Sequence, residues 1–323
     1  MTVFTVYSGI GRELDYDAAR AYIRDGYLLS PKTILKGLTK LPQSIDPPIS
    51  IELNKIPSYA QHTLESALGN LAGTRRAVMF SGGFDSILIA FLAQRCGAQV
   101  TAVTIQFDDF NRLTVEGAAD CACKVGITHH VLTVKAVEFL AAFEELAGIT
   151  DEPVLDLDLA IVYAALKNYD RQIAGNIFIS GMGSDQWFGN EALEARPGGL
   201  AARLDWAIVD EDAHQRAAQV HGCKFIFPFL FEPMLALSQS IPDVMKKDKH
   251  LLRALAVANT IPHRGARSEI QVPDLMRRIL VRTFGDRAWP GPVAIDSAVD
   301  DQTLRKIVLG LWLEKAKGRI AGL

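Results

Sequence analysis

The residues best suited to chemistry lie in a glycine-rich turn, Ser-Gly-Gly-Phe-Asp-Ser at positions 81–86, which follows the apolar run 77–80. Its two glycines allow a sharp backbone turn that presents amide hydrogens, and Ser81 and Ser86 add hydroxyls, so the turn suits a phosphate. The carboxylate of Asp85 would repel a polyphosphate unless a divalent cation lay between them. We therefore interpret the turn as a nucleotide polyphosphate site in which Asp85 binds Mg²⁺.

The turn differs from the two most familiar phosphate-binding sequences. The pattern G-x-x-x-x-G-K-S/T requires a lysine and the pattern G-x-G-x-x-G requires a third glycine, and neither is present here. A purely structural explanation is also available, because Gly-Gly often makes a tight turn and Asp or Ser near a helix start often caps the helix. Taken alone, the turn supports the two explanations equally.

A second glycine-rich segment, at positions 179–190, reads Ile-Ser-Gly-Met-Gly-Ser-Asp-Gln-Trp-Phe-Gly-Asn. It also follows a predicted strand, and it again combines Gly, Ser and Asp. Open parallel sheets bind ligands at the carboxyl ends of their strands, so two such turns can share one ligand site. Asp85 and Asp185 are therefore predicted to bind a single Mg²⁺ ion as a two-carboxylate site.

Short apolar runs alternate with helical patterns in the first two thirds of the chain. The predicted strands are 77–80, 100–107, 130–134 and 176–180, and the predicted helices are 87–93, 115–123, 137–147 and 157–173. Such alternation implies right-handed crossovers and a parallel sheet with helices on both faces, so the fold class is α/β. After about residue 190 the strand signals fade, and the remainder, including 304–320, is predicted to be mostly helical. We expect a helical lead segment at 1–59 and one main domain at 60–323.

The composition argues against several classes of partner. The 34 Lys+Arg and 37 Asp+Glu give a formal net charge of −3, so no strong field draws the chain to nucleic acid or to an anionic membrane. No segment approaches the roughly 18 uninterrupted apolar residues that a membrane span needs. The first four residues lack the basic and apolar segments of a secretory signal, so a cytoplasmic location is expected.

These motifs resemble those of a known family. Positions 81–86 resemble the SGGxDS pyrophosphate loop of N-type ATP pyrophosphatases, and positions 181–189 resemble the GxGSDExFGG segment of the asparagine synthetase family. Further matches in the family's order are the segment before the synthetase domain at 22–42, the DEP motif at 151–153, the PFLD motif at 227–230, the K-x-L-L-R helix start at 249–253 and the last helix at 309–313. The resemblance covers roughly residues 14 to 315. It implies an adenine nucleotide alpha hydrolase-like fold of the PP-loop type.

The resemblance also implies a reaction. In this family a substrate carboxylate attacks the α-phosphorus of ATP, pyrophosphate leaves, and a nitrogen nucleophile captures the acyl-adenylate to form an amide and AMP. The departing pyrophosphate must be neutralised and the pentavalent phosphorus stabilised. ATP, as a substrate, and Mg²⁺ are therefore the expected cofactors.

Site residues follow from the same resemblance. Asp85 and Asp185 would bind the metal, and Lys249 would supply positive charge to the transition state, although a solvated position in the charge cluster 246–249 is the alternative. The ATP-binding residues would be Ser81, Gly82, Gly83, Asp85, Ser86, Gly181 and Gly183, with Thr104 and Ile105 flanking the adenine.

Three acidic residues are candidates for the acceptor side of the reaction. Glu152 and Asp156 lie near the DEP motif, although acids at a helix start also cap helices without any further function. Glu211 lies near the place where β-lactam synthetases carry a catalytic Glu. Its alternative explanation, which the sequence favours, is a solvated acidic run at 210–212.

The chain departs from the family pattern at the acceptor end and at its N-terminus. Thr2 stands where a glutaminase domain would carry its cysteine nucleophile, so no glutaminase domain is expected here. Met182 replaces the Glu of asparagine synthetases or the Tyr of β-lactam synthetases, and a thioether is a poor proton acceptor. Gln186, Lys224 and Ile226 also differ from the residues that are common there. We infer that adenylation is retained and that the acyl substrate and the amine have changed.

The sequence therefore favours a glutaminase-independent, ATP-dependent amide synthetase in specialised metabolism or peptide modification, similar to β-lactam synthetases and lasso-peptide macrolactam synthetases. Its expected partners are a small-molecule or peptide carboxylate and an amine or ammonia. An amine tethered to the acyl group would gain from proximity, which could compensate for a missing general base. Two alternatives are a non-catalytic ATP-binding subunit, which would serve a partner protein, and an ammonia-dependent asparagine synthetase.

Overall fold

The computed structural model describes residues 7–30, 32–40, 48–189, 192, 199–261, 272–287 and 300–316. Thr2, Asn190 and positions 317–320 of the predicted last helix lie outside these ranges. The strands are β1 Tyr7–Leu14, β2 Leu35–Lys40, β3 Arg75–Met79, β4 Gln99–Phe107, β5 Thr128–Val134, β6 Ile177–Ile179 and β7 Lys224–Ile226. The helices are α1 Tyr16–Asp25, α2 Ile56–Leu68, α3 Phe84–Arg95, α4 Arg112–Val125, α5 Ala136–Leu146, α6 Leu157–Lys167, α7 Ser184–Phe188, α8 Gly199–Val220, α9 Glu232–Ser240, α10 Asp243–Lys246, α11 His250–Ala258, α12 Val272–Phe284 and α13 Asp301–Ala316.

A five-stranded parallel sheet in the order β5-β4-β3-β6-β7 lies at the centre of the fold. Consecutive residues of the central strands are buried, as in Ala77 and Val78 of β3 and Ala102 and Val103 of β4. Consecutive burial means that both faces of the sheet are covered, which is why these strands read as continuous apolar runs. The predicted α/β class with a parallel sheet is confirmed.

The strand order creates a reversal beside the first strand of the sheet. From β3 the chain builds outward through β4 to β5, and then returns through α5 and α6 to place β6 on the other side of β3. Open parallel sheets bind ligands at such a switch point, outside the carboxyl ends of the strands. The turns that follow β3 and β6 therefore lie next to each other, as the sequence predicts.

Helix α3, which follows the first glycine-rich turn, is buried on nearly all sides. Its successive residues Ile87, Leu88, Ile89 and Ala90 are each no more than 1% exposed. A helix that is apolar all round belongs in the interior, so α3 anchors the turn before it to the core of the domain.

Two predicted elements are shorter than expected, and one strand of the sheet was not predicted. The helix predicted over 157–173 ends at Lys167, and turns and irregular backbone occupy the following residues up to 174. The strand predicted over 176–180 is only three residues long. The sheet also contains β7, which has three residues and begins with the exposed Lys224, so its pattern is too short to be recognised.

The lead segment is only partly helical. The helix predicted around Tyr16 is present as α1, with Asp15 accepting hydrogen bonds from the Asp17 and Ala18 amides as its N-cap. The segment also contains β1 and β2, which pair as antiparallel strands and were not predicted. The expectation of a helical lead segment is therefore wrong for β1 and β2, because the described residues of β2 show no alternation of buried and exposed positions that would indicate a strand.

The lead segment contacts the rest of the chain through buried polar groups. The Ser30 amide and hydroxyl donate to the carboxylate of Asp205 on α8, at 2.7 and 2.8 Å. Lys40 at the end of β2 forms a buried ion pair with Glu152, with 3.0 Å between Nζ and Oε2. The boundary at residue 59 stays a prediction.

The C-terminal part after β6 is mostly helical, as predicted, and α13 packs into the same core. The buried Trp312 of α13 donates from Nε1 to the Thr150 carbonyl at 3.0 Å. Among the described residues, no helix combines the length and apolar character that crossing a membrane requires.

Candidate functional site

The first glycine-rich turn connects β3 to α3 in a conformation that requires glycine. Gly82 has a φ of +69°, and a Cβ added there would lie 2.8 Å from the Cα of Ala118 on α4. Both features exclude other residues, since a positive φ is costly for L-residues and the contact is with backbone. The turn therefore passes against α4 at Gly82 before α3 begins at Phe84.

The serines of this turn organise its backbone. The Ser81 Oγ accepts from the Gly83 amide at 3.1 Å, and the Ser86 Oγ donates to the Gly83 carbonyl at 2.9 Å. Ser86 is buried, whereas Ser81 is exposed. The four predicted phosphate-binding residues thus form one compact turn at the end of β3, with Ser81 accessible to a ligand.

The second turn follows β6 and approaches the first closely. A Cβ at Gly181 would lie 3.1 Å from the Cβ of Asp85. Gly183 has a φ of +91°, and a Cβ there would lie 2.6 Å from the Cδ2 of Leu230, in the segment that resembles PFLD. Both glycines therefore allow the turn to fit between α3 and the 3₁₀ turn Pro228–Leu230.

The two predicted metal ligands converge on one lysine. The Lys249 Nζ lies 2.5 Å from Asp85 Oδ2 and 2.8 Å from Asp185 Oδ2, and Ser184 Oγ is 3.5 Å away. The two carboxylate oxygens are therefore no farther apart than the sum of the first two distances. Three residues that lie 64 to 164 positions apart in the sequence share one small site.

Lys249 is held in an unusual backbone conformation. Its φ is +57° and that of Asp248 is +52°, both in the left-handed region that non-glycine residues rarely adopt. The conformation places Lys249 at the start of α11 with its side chain only 12% exposed, while its neighbour Lys247 is exposed. The alternative that Lys249 is a solvated member of its charge cluster is therefore wrong.

Asp85 has a second oxygen that suits a cation. Its Oδ1 is buried and has no hydrogen-bond partner among the described residues. Buried carboxylate oxygens normally have partners, so an unpartnered one marks a place where another ligand fits. Carboxylate oxygens are the donors that Mg²⁺ prefers, and the pair Asp85 and Asp185 therefore fits a bound divalent cation.

The two residues predicted to flank adenine differ in their availability. Thr104 is buried on β4, where its hydroxyl contacts the Phe80 carbonyl at 2.5 Å and His129 Nε2 at 2.7 Å. The Thr104 hydroxyl thus links β3 to β5 within the sheet. Ile105, the next residue, is only partly buried. The adenine contact stays a prediction for both.

A large cavity adjoins the two turns. Its volume is about 890 Å³, and it is lined by Met79 at the end of β3 and by Ser180 and Met182 after β6. Gln186, another departure from the family pattern, also lines it. Two of the four departures at the acceptor end, Met182 and Gln186, therefore line the cavity, whereas Lys224 and Ile226 are not among its lining residues.

The predicted acceptor-side acids occupy different positions relative to this cavity. Glu152 lines it but is bound to Lys40, and its Oε1 also accepts from the Ile34 amide at 3.2 Å. Asp156 lines it and caps α6. Glu211, of the described residues, is not one that lines the cavity. The structure therefore brings Glu152 and Asp156, but not Glu211, together with Met182.

The acidic run at 210–212 is not solvated, contrary to expectation. Asp210 is only 6% exposed, and Glu211 and Asp212 are partly buried on α8. Burial, together with the charges of Asp212 and Asp210, raises the pKa of Glu211 to about 7. The run is buried because α8 packs against α6 and β7, which the sequence pattern does not reveal.

A group of cavity residues that the sequence did not indicate includes His214, one turn after Asp210 on α8. Burial would lower the pKa of His214, but the carboxylates of Asp210 and Asp156 outweigh it and raise that pKa to about 9. Burial and then the charge of Asp210 raise the pKa of Asp156 to about 8. The spacing of four residues between Asp210 and His214 places both on one face of a helix and could have indicated a site.

Comparison with known proteins agrees with this arrangement. Residues 71–208 match the family described as asparagine synthase. Proteins of Mycobacterium tuberculosis and Mycobacterium bovis, described as glutamine-hydrolyzing asparagine synthetases, are 26% identical over 215 residues. These alignments cover 58% of this chain and 32% of each relative, so the chain spans about a third of the length of the relatives it matches.

Shorter and more distant similarities also exist. The 7-cyano-7-deazaguanine synthase 1 of Sphingopyxis alaskensis is 37% identical over 62 residues, or 19% of this chain and 28% of that protein. Among solved structures, an NMN synthetase from Francisella tularensis has a TM-score of 0.36 at 14% identity, over 84% of this chain and 96% of that one. The U34-tRNA thiolase NcsA of Methanococcus maripaludis has a TM-score of 0.42 at 13% identity, over 90% and 88%.

The matched region, 71–208, contains both glycine-rich turns and the strands β3 to β6 that position them. The match therefore confirms the family resemblance that was based on these turns. Residues 71–208 of this chain are thus similar to the asparagine synthase family over the part that carries both turns.

Proposed function

We propose that this protein is an ATP-dependent ligase that adenylates a substrate carboxylate, releases pyrophosphate and transfers the acyl group to an amine. The observation that carries the proposal is the convergence of Asp85, Asp185 and Lys249 beside the turn 81–86. Two carboxylates and one lysine next to a phosphate-binding turn provide the charges that transfer at the α-phosphorus of ATP requires. The similarity of residues 71–208 to the asparagine synthase family supports the same reaction.

The turn 81–86 would bind the β- and γ-phosphates. Ser81 offers an exposed hydroxyl, and the N-terminus of the 12-residue helix α3 adds its partial positive charge. Thr104 and Ile105 would lie beside the adenine at the end of β4. Gly181 and Gly183 keep the second turn close enough for both turns to contact one nucleotide.

Asp85 and Asp185 would hold Mg²⁺ beside these phosphates. When bound, this ion would neutralise negative charge on the departing pyrophosphate. Lys249, which pairs with both carboxylates in the structure, would then turn its ammonium to the α-phosphate and stabilise the pentavalent phosphorus. The side chain of Lys249 therefore exchanges two carboxylate partners for the reacting group.

The cavity beside Met182 would hold the acyl substrate and the amine. Its volume of about 890 Å³ is in the range of sites for drug-sized ligands, about 300–1,000 Å³. A cavity of this size favours an organic amine, or an amine tethered to the acyl group, over free ammonia. Tethering supplies proximity, which is valuable here because Met182 cannot take a proton from the nucleophile.

Exchange of labelled pyrophosphate into ATP, in the presence of candidate carboxylic acids, tests this function. We expect exchange that depends on one class of acid and on Mg²⁺, and that is lost in Asp85→Asn. The matched control is Asp120→Asn, which removes an exposed carboxylate of α4 that pairs with Lys124. Exchange that is equal in the Asp85 variant and the wild type would contradict the metal assignment.

Two other functions give different outcomes in the same assay. A non-catalytic nucleotide-binding subunit, which Met182 favours, would bind ATP without exchange for any acid tested. An ammonia-dependent asparagine synthetase would exchange only with aspartate and would form asparagine from ammonium salts. The size of the cavity and the presence of Met182 and Gln186 in its wall argue against this second alternative.

A further inference from the structure

Three metal-binding side chains meet in the wall of the cavity, away from the turn 81–86. They are Asp156 at the N-cap of α6, and Asp210 and His214 one turn apart on α8. One potential ligand atom of each lies within 4.8 Å of the other two. All three residues line the cavity, so an ion among them would be accessible from it.

Asp156 is oriented by the helix that it caps. Its Oδ1 accepts from the amides of Asp158 and Leu159, at 2.8 and 3.1 Å. These bonds fix the carboxylate, and its Oδ2 lies 3.8 Å from the Nε2 of His214. That distance is too long for a hydrogen bond, but adjacent ligands of one metal ion, each about 2.0–2.2 Å from it, lie about 3 Å or more apart.

His214 is oriented by its own helix. Its Nδ1 lies 2.9 Å from the Asp210 carbonyl, so Nδ1 carries the proton and donates it there. Metal-binding histidines typically make this bond through the ring nitrogen that does not bind the ion. Nε2 is then the nitrogen that faces Asp156 and the cavity.

Asp210 supplies an independent observation, a carboxylate oxygen unpartnered within the described part of the chain. Its side chain is only 8% exposed, and its buried Oδ1 has no hydrogen-bond partner among the described residues. The Nδ1 of His214 lies 3.4 Å from this oxygen, but that nitrogen donates to the Asp210 carbonyl instead. A buried carboxylate oxygen without a partner is costly, and an ion would satisfy it.

We propose that Asp156, Asp210 and His214 bind one divalent transition-metal ion of the zinc class, separate from the Mg²⁺ of the nucleotide site. An imidazole with two carboxylates suits such ions, whereas Mg²⁺ and Ca²⁺ prefer oxygen donors alone. Three protein ligands leave a coordination position open toward the cavity. That position suits an amine or hydroxyl group of the acceptor, a role that rests on the proposed function, whereas the binding of the ion does not.

Titration of the EDTA-treated protein with Zn²⁺ by calorimetry, in excess Mg²⁺ to fill sites made of oxygen donors, tests the proposal. We expect one ion per chain, and an affinity at least 10-fold lower in Asp156→Asn and His214→Gln. Asp156→Asn retains an oxygen that can cap α6, so the variant keeps its fold. The control is Asp120→Asn, which removes an exposed carboxylate of α4 that pairs with Lys124, lies outside the cavity lining and should leave the affinity unchanged.

Substitution with Co²⁺ identifies the donors. Binding at this site gives a visible cobalt spectrum without a thiolate charge-transfer band, whereas binding at the cysteines gives that band. Equal Zn²⁺ affinity in the wild type and in Asp156→Asn would overturn the proposal. A second result would also overturn it: the wild type binds no Zn²⁺, diamines stabilise the wild type, and Asp156→Asn abolishes that stabilisation. The three side chains would then bind a cationic amine and not a metal ion. Either result leaves the pyrophosphate exchange assay to decide the proposed function separately.

Discussion

At the scale of single residues, the central feature is a lysine ammonium shared by two carboxylates. Lys249 contacts Asp85 and Asp185 in the positions where a metal-binding pair is expected. An ammonium between two carboxylates balances part of their charge and holds the pair together. The strained φ of Lys249 and Asp248 is consistent with a functional position, since such backbone is often found at active sites.

Replacement of Lys249 by Ala should reduce pyrophosphate exchange about 100- to 1,000-fold, the usual effect of removing one transition-state contact. The binding of Mg²⁺ and ATP should change much less, because the two carboxylates and the turn 81–86 remain. Exchange kinetics and nucleotide titration separate the two effects.

The matched control for this prediction is Lys247→Ala. Lys247 belongs to the same charge cluster but is exposed and lies away from both carboxylates. If both alanine variants lose exchange equally, the effect is one of net charge, and the specific role of Lys249 is contradicted.

At the scale of structural elements, the two turns depend on glycines at positive φ and on close packing. The first turn touches α4 at Gly82, and the second touches the 3₁₀ turn Pro228–Leu230 at Gly183. These contacts fix the turns relative to elements that are distant in sequence. The geometry of the proposed nucleotide site is therefore set by packing as well as by the backbone conformation of the turns.

The substitution Gly82→Ala, compared with Gly73→Ala, separates the cost of the positive φ from the cost of the close contact with α4. Gly73 has the same φ of +69° as Gly82, but a Cβ there would meet no atom within 4 Å. Gly73→Ala should therefore cost about 1–2 kcal/mol, the ordinary cost of left-handed backbone. Gly82→Ala should cost more and should also weaken ATP binding. Urea unfolding and nucleotide titration of the two variants measure the difference, and equal effects would show that the contact with Ala118 is unimportant.

The buried pair of Lys40 and Glu152 connects the lead segment to the cavity wall. Both side chains are at most 8% exposed, so removal of one partner leaves a buried charge without compensation. Lys40→Ala should lower the free energy of unfolding by about 3–5 kcal/mol. Lys36 lies on β2, like Lys40, and forms an exposed ion pair with Glu13 of β1. Lys36→Ala should therefore leave the urea midpoint unchanged.

The same pair bears on the predicted role of Glu152. In Lys40→Ala/Glu152→Met, both charges are removed together, so much of the lost stability should return. If the stabilised double variant also retains pyrophosphate exchange, Glu152 has a structural function. A double variant that is no more stable than Lys40→Ala would contradict the importance of the ion pair.

At the scale of the whole molecule, four strands of the parallel sheet, β3 to β6, could be predicted from the sequence, whereas β7 and the strand order could not. Buried parallel strands give continuous apolar runs, and the two glycine-rich turns mark the ends of β3 and β6, so both were identified. The pairing of Asp85 with Asp185 follows from the reversal of strand order. The residues next to each turn are therefore enough to show that the turn follows a buried strand.

The cavity could not be predicted in the same way. Asp156 belongs to α6, whereas Asp210 and His214 belong to α8, and only the packing of those helices brings them together. Lys40, which neutralises Glu152, comes from a strand of the lead segment with a weak apolar pattern. Contacts between elements far apart in the chain leave no periodic signal, and only the spacing of Asp210 and His214 hinted at a site.

The most direct test of the central claim is a crystal structure with a non-hydrolysable ATP analogue and Mg²⁺. We predict that the triphosphate lies against the turn 81–86, that one Mg²⁺ contacts Asp85 and Asp185, and that the Lys249 ammonium has left these carboxylates for the phosphates. A nucleotide bound elsewhere, or a Lys249 that still bridges both carboxylates in the loaded site, would contradict the account.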